Sequence, residues 1–130
     1  MSALHKSRLS LDGARVLIAE DEALIAMDLE FTIEDHGGEL LGPAFNNCED
    51  ALQAAKTAQI DVALLDVALL DGDVLPVADE LYSRSIPFAF HSGHAMQQRM
   101  IDRFPNAGWV VKPSRPGAIV ETLVKLIADR

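Results

Sequence analysis

Glu20 and Asp21 follow the apolar run Ala14–Ala19, and Asp66 closes the run that begins at Asp61. Ser92 follows Pro87–His91, and Lys112 follows Trp109–Val111. Three carboxylates, a hydroxyl and an ammonium therefore stand where short apolar runs end. Three acids brought together repel one another unless a cation joins them. An all-oxygen donor set suits a hard cation such as Mg²⁺, held by carboxylates, waters and a phosphate oxygen. A hydroxyl donor and a point positive charge complement phosphoryl oxygens. An Asp carboxylate can itself be the nucleophile and form an acyl phosphate. Each residue also has a plain structural reading. Glu20-Asp21 could be the first turn of a helix, Asp66 a loop cap, Ser92 a helix N-cap and Lys112 a solvated surface charge. Only their convergence favours chemistry, and convergence requires a fold.

The runs themselves predict that fold. Residues 14–19 read as a buried β-branched strand, followed by a helix over 23–35 with Leu24, Ile25, Met27, Leu29, Phe31 and Ile33 at helical spacing. His36-Gly37-Gly38 stops it. A weaker strand spans 39–45, and Asn46 or Asn47 can cap a helix to Thr57, with Glu49 placed as in a capping box after Asn46. Asp61–Val67 is the clearest strand, apolar on both faces as in a parallel sheet covered on each side. A loop at Asp71-Gly72-Asp73 leads to a helix holding Val74, Ala78, Leu81 and Tyr82, with Pro76 tolerated in its first turn. Pro87–His91 is a fourth strand, Met96, Met100 and Phe104 mark a fourth helix, and Trp109–Val111 is a fifth strand. Ser114 is placed to cap the last helix, whose stripe is Ile119, Val120, Leu123, Val124 and Ile127.

Five strands alternating with five helices predict an α/β, flavodoxin-like, doubly wound parallel sheet of order 2-1-3-4-5 with helices on both faces. Ligands in such sheets bind outside the carboxyl ends of the strands, where strand order reverses. For this order the point lies between strands one and three, the strands that end in Glu20-Asp21 and Asp66.

Composition sets the outer limits. Eleven Lys and Arg against 20 Asp and Glu give a net charge of −9 and a pI near 4.7. The basic residues are scattered, which argues against direct nucleic-acid binding. Cys48 is the single cysteine, so an intrachain disulfide is excluded, and it reads as a half-buried small hydrophobe on a helix. The longest apolar runs are too short for a membrane span, and the start is no secretory signal, so a cytoplasmic protein with no membrane contact is expected. Residues 1–12 read as an N-terminal extension and 13–130 as one domain.

VLIAEDE, LLDVALLDGD, FHSGH and WVVKP, in this order and spacing, resemble the receiver domain of two-component response regulators across residues 14–128. The resemblance implies that Asp66 is phosphorylated by a sensor histidine kinase or histidine phosphotransfer protein. It implies that Glu20, Asp21 and Asp66 hold Mg²⁺ with the backbone carbonyl of Ala68, that Ser92 binds the phosphoryl group and that Lys112 pairs with it. It further implies a cis Lys112–Pro113 bond and a switch aromatic at Trp109, coupled to Ser92, with Ala68 and His94 tuning dephosphorylation. Ala68 has no group to orient an attacking water, so a long-lived phosphoryl state is expected.

Several positions depart from the common pattern. Trp109 is bulkier than the usual Tyr or Phe, Leu70 stands where a proline is frequent, and Ser114 replaces the usual Phe after Lys-Pro. His91 and His94 lack a third ligand nearby, which makes a separate metal site a poor reading. PFAFHSGH resembles a subset of stand-alone receivers with a Phe-rich fourth strand.

The expected function is a phosphorylation switch that acts on a downstream protein target, not an enzyme beyond slow, Mg²⁺-dependent phosphoryl turnover. Only Ala128-Asp129-Arg130 follow the last helix, which suits either a single-domain regulator or a segment of a longer chain, and a homodimer is compatible with both. Two alternatives compete. One is a phosphate-independent adaptor, against which the complete acid set and Lys112 argue. The other is an aspartyl-phosphate phosphatase, which would need a second acid where Ala68 stands.

Overall fold

A computed structural model describes residues 9–69, 71–93 and 98–130. The elements run β1 (Arg15–Ala19), α1 (Ala23–Asp35), β2 (Glu39–Leu40), α2 (Cys48–Thr57), β3 (Val62–Asp66), β4 (Ala68–Leu69), β5 (Gly72–Asp73), α3 (Leu75–Ser83), β6 (Phe88–Ser92), α4 (Gln98–Arg103), β7 (Gly108–Val111) and α5 (Pro116–Asp129). Five strands form one parallel sheet of order β2-β1-β3-β6-β7, which is the expected 2-1-3-4-5 once β4 and β5 are set aside as a separate two-residue hairpin. That hairpin occupies the segment expected as a loop.

Alternation along each strand divides the core in two. Leu17, Ala19, Ala63, Leu65, Phe88 and Phe90 pack with Ala51 and Ala55 of α2, Val77, Ala78 and Leu81 of α3 and Met100 of α4. Val16, Ile18, Val62, Leu64, Ala89 and Val110 pack with Leu29 and Ile33 of α1 and Ile119, Val120 and Leu123 of α5. Both faces are thus covered by helices, as the uniformly apolar β3 requires. The aromatic residues concentrate on the first face, where Phe90 lies 5.5 Å from Phe88 and 5.2 Å from Trp109, centroid to centroid. Met96 and Leu70 lie outside the described residues.

The helix ends differ from expectation in instructive ways. Asn47, not Asn46, caps α2, and its side chain accepts the Asp50 N–H at 2.8 Å, so the Asn46–Glu49 box does not form. We expect Asn47→Ala to cost about 1 kcal/mol in denaturant unfolding, with the m-value unchanged. A second clamp was not legible in sequence: Asp71, beyond β3, accepts the N–H groups of Cys48 at 2.6 Å and Glu49 at 3.2 Å. These two donors, Cys48 first, hold the Asp71 carboxyl below its usual pKa. Strand β2 shortens to two residues because Gly42 turns the chain away at φ +91°, and the chain rejoins the sheet through a single bridge, Ala19 to Phe45. After α1, Gly37 adopts φ +82°, while a Cβ on Gly38 would lie 2.6 Å from Ile33 Cγ2, so both glycines are required there.

The largest departure lies in α1. Leu29, Thr32 and Ile33 face the core, whereas Leu24, Met27 and Phe31 are 81%, 62% and 67% exposed. The helix is apolar on two sides, and among the described residues only one of them is covered. No helix among the described residues is long and apolar enough to cross a membrane.

Candidate phosphoacceptor site

Parity along the strands builds the site. Ile18 is followed two residues on by Glu20, Leu64 by Asp66, Ala89 by His91 and Val110 by Lys112, so all four polar residues continue the sheet face shared with α1 and α5. Register aligns the first three across the sheet, while Lys112 lies two residues past Val110, the partner of His91. Ala19 pairs with Leu65, which brings Glu20 beside Asp66, and Asp66 pairs with His91. Asp21 extends past the end of β1. One carboxylate oxygen each from Glu20, Asp21 and Asp66 lies within 4.8 Å of the others.

Lys112 is positioned by backbone. Its N–H donates to the Ser92 carbonyl at 2.7 Å, and the following peptide bond to Pro113 is cis, in keeping with the family pattern. Its ammonium lies 3.0 Å from Glu20 Oε1 and donates to Asp66 Oδ2 at 3.2 Å. Asp66 Oδ1 also accepts the Ala68 N–H at 3.3 Å, which holds the carboxylate at the start of the β4–β5 hairpin. Glu20 Oε2 accepts the Glu22 N–H at 3.1 Å, where α1 begins.

Burial governs the charges. Glu20 is 2% exposed, and this burial pushes its pKa up to about 7 against the opposing pull of the Lys112 ammonium. Burial opposes the charge on Lys112 too, yet the two carboxylates prevail and raise its pKa. His91 is driven down to about 4, first by burial and then by Lys112, so its ring is neutral at physiological pH. Three acids against one ammonium leave negative charge uncompensated. Glu20 Oε1 is buried without a hydrogen bond, Lys112 serving it as a charge at short range but not as an aligned donor. An all-oxygen cluster with an orphaned buried oxygen fits a hard divalent cation.

The structure brings Glu20, Asp21, Asp66 and Lys112 together. Ser92 is buried at the last position of β6, so it is a strand residue and not the helix N-cap of the plain reading. Ala68 is exposed beside Asp66. Trp109 is half-buried against Phe90, and its Nε1 is buried without a hydrogen bond. His94 lies outside the described residues. Ser114 does not cap α5: the N-cap is Arg115, without a side-chain bond, and the Ser114 hydroxyl lies 2.9 Å from His91 Nε2 instead. His91 is the member of this row whose place the sequence reading missed. Its two-residue spacing from Ala89 was the available signal.

No protein-family model matches the chain. Transcriptional regulatory protein PdtaR of Mycobacterium tuberculosis is 34% identical over 102 residues, covering 76% of this chain and 49% of PdtaR, so the chain spans about half the length of that relative. Chemotaxis protein CheY of Thermotoga maritima is 30% identical over 118 residues, covering 88% of this chain and 98% of CheY. The crystal structure of a response regulator receiver protein from Sinorhizobium medicae superposes with a TM-score of 0.80 at 25% identity, covering 92% of this chain and 98% of that one. A parallel sheet of this order, an acid cluster and lysine at its strand ends, and full-length similarity to a CheY have one common reading: the chain belongs to the receiver-domain family of two-component response regulators.

Proposed function

We propose that this chain is a phosphorylation switch with Asp66 as acceptor. The observation that carries the reading is the row Glu20–Asp66–Lys112, in which one ammonium bridges two buried carboxylates at the strand ends. An Asp66 oxygen attacks the phosphorus of a phosphohistidine, the P–N bond breaks as the P–O bond forms, and the imidazole leaves with the electron pair and takes up a proton. Glu20, Asp21, Asp66 and the Ala68 carbonyl would hold Mg²⁺, which supplies charge neutralisation for the phosphoryl oxygens. Lys112 supplies a fixed positive charge beside Asp66, and the Ser92 hydroxyl would donate to a phosphoryl oxygen. A change at Ser92 reaches Trp109 through the paired ends of β6 and β7, which makes the half-buried indole the readout of the switch. The test is intact mass after exposure to acetyl phosphate with Mg²⁺ or with EDTA. A single phosphoryl adduct that forms only with Mg²⁺ is expected, and no adduct in either arm would favour a phosphate-independent adaptor.

The exposed face of α1 points to the donor's side of this exchange. Leu24 lies three residues past Asp21, and α1 carries four acidic residues and no Lys or Arg. The stripe Leu24–Met27–Phe31 therefore suits a helix of the donor with an apolar ridge and basic flanks. Replacing both Leu24 and Phe31 by serine should slow phosphorylation by a phosphorylated histidine phosphotransfer domain about tenfold or more. The rate with acetyl phosphate should not change. Equal slowing of both rates would place the defect in the site and not in docking.

A further inference from the structure

His91 stands between Asp66 and Lys112 in the row of side chains that crosses the strand ends, yet the phosphoryl chemistry does not use it. The residue is 3% exposed. Its Nε2 lies 2.9 Å from Ser114 Oγ, while its Nδ1 is buried without a hydrogen bond, 3.9 Å from Glu20 Oε1. A neutral ring carries one proton, on one nitrogen or the other. With the proton on Nε2, the bare Nδ1 lone pair would face the Glu20 carboxylate, acceptor against acceptor. With the proton on Nδ1, an N–H faces that carboxylate and Nε2 accepts the Ser114 hydroxyl. With Glu20 ionised, only the second arrangement sets opposite polarities together at both ends of the ring.

We propose that His91, braced by Ser114, is a positioning residue of the site: its Nδ1–H faces Glu20, and its Nε2 ties strand β6 to the loop that carries Lys112. Ser114 follows Lys112 by two residues across Pro113, so the bond fixes the loop at the point where the ammonium departs toward Glu20 and Asp66. A phenylalanine at 114, as in the common pattern, has no hydroxyl to donate. His91 and Ser114 are thus partners. The link to phosphoryl transfer rests on the function proposed above, but the tautomer and its effect on the acid cluster do not.

Two measurements on the full chain test this. Imidazole ¹⁵N NMR of the metal-free protein should show His91 Nδ1 protonated, and an unprotonated Nδ1 overturns the proposal. In Mg²⁺ titrations followed by backbone amide shifts, His91→Phe should weaken binding about tenfold, the lower range for groups that orient metal-binding side chains. His91→Gln, which keeps a donor and an acceptor, should recover most of that loss. Ser114→Ala should weaken binding less, and adding it to His91→Phe should have no further effect, because the two act through one hydrogen bond. Unchanged Mg²⁺ affinity in His91→Phe, or additive effects of the two substitutions, would refute a positioning role. If His91→Phe does not fold, the wild-type tautomer and the Ser114→Ala titration decide the matter. A missing phosphoryl adduct alongside the expected Mg²⁺ effects would count against the proposed function alone.

Discussion

Asp66→Asn should leave the protein without a phosphoryl adduct after treatment with acetyl phosphate and Mg²⁺, while the fold persists. The carboxamide is nearly isosteric and keeps one oxygen, which can accept either the Lys112 ammonium, now 3.2 Å from Oδ2, or the Ala68 N–H; its NH2 can only donate, so one of these two bonds is lost. What it lacks is the anionic oxygen that attacks phosphorus. Removing one of three clustered acids also relieves repulsion in the metal-free site, so thermal stability should hold or rise. Intact mass together with a melting curve separates the two effects. An adduct that survives in Asp66→Asn would mean another acceptor, and loss of the adduct together with loss of the fold would make the variant uninformative about Asp66.

Cys48 should be alkylated by iodoacetamide about a hundredfold more slowly than an ordinary thiol at pH 8, the consequence of a two-unit rise in pKa. Burial pushes the thiol up to about 11, and Asp71 adds to the shift. The Sγ–H donates to the Asp73 carbonyl at 2.9 Å, so deprotonation also breaks a hydrogen bond. The residue is only partly buried, so the protection is chemical and not steric. The rate should climb with pH until about 11. The same shift has a sign in stability. A thiol whose pKa is higher in the folded than in the unfolded state contributes stability below pH 9 that is lost as pH rises toward 11. Asp71→Asn should restore part of the reactivity, since it removes one of the charges that disfavour the thiolate. Rapid alkylation of the native protein at pH 8 would show that the β4–β5 hairpin does not hold the thiol as described.

The strand ends were legible in the sequence because a parallel strand buried on both faces leaves a long apolar run, and the first polar residue after it must stand at the rim. Asp66 after Val62–Leu65 and Lys112 after Val110–Val111 were found this way. Helix caps were less legible, since Asn46, Asn47, Ser114 and Arg115 are all chemically capable neighbours, and the choice among them depends on which side chain another element draws away. His91 took the Ser114 hydroxyl, and Asp71 took the first N–H groups of α2. In α1, Leu24, Met27 and Phe31 share their spacing with core residues, and periodicity alone cannot tell a face that meets the sheet from one that meets a partner.

By itself the sequence determined the alternation of strands and helices, and with it the sheet and the acids, hydroxyl and amine at its rim, because local periodicity and burial demand no knowledge of distant neighbours. Tertiary structure alone decided which groups touch. The bridge from Lys112 to Glu20 and Asp66 spans 92 and 46 residues of chain, and the contact of His91 with Ser114 spans 23. Such pairings depend on strand order and register, which no local pattern encodes. The electrostatics followed from the same source: Glu20 is raised and His91 lowered because the fold buries both, with the Lys112 ammonium opposing the first shift and adding to the second, and burial is a property of the packed sheet, not of either residue.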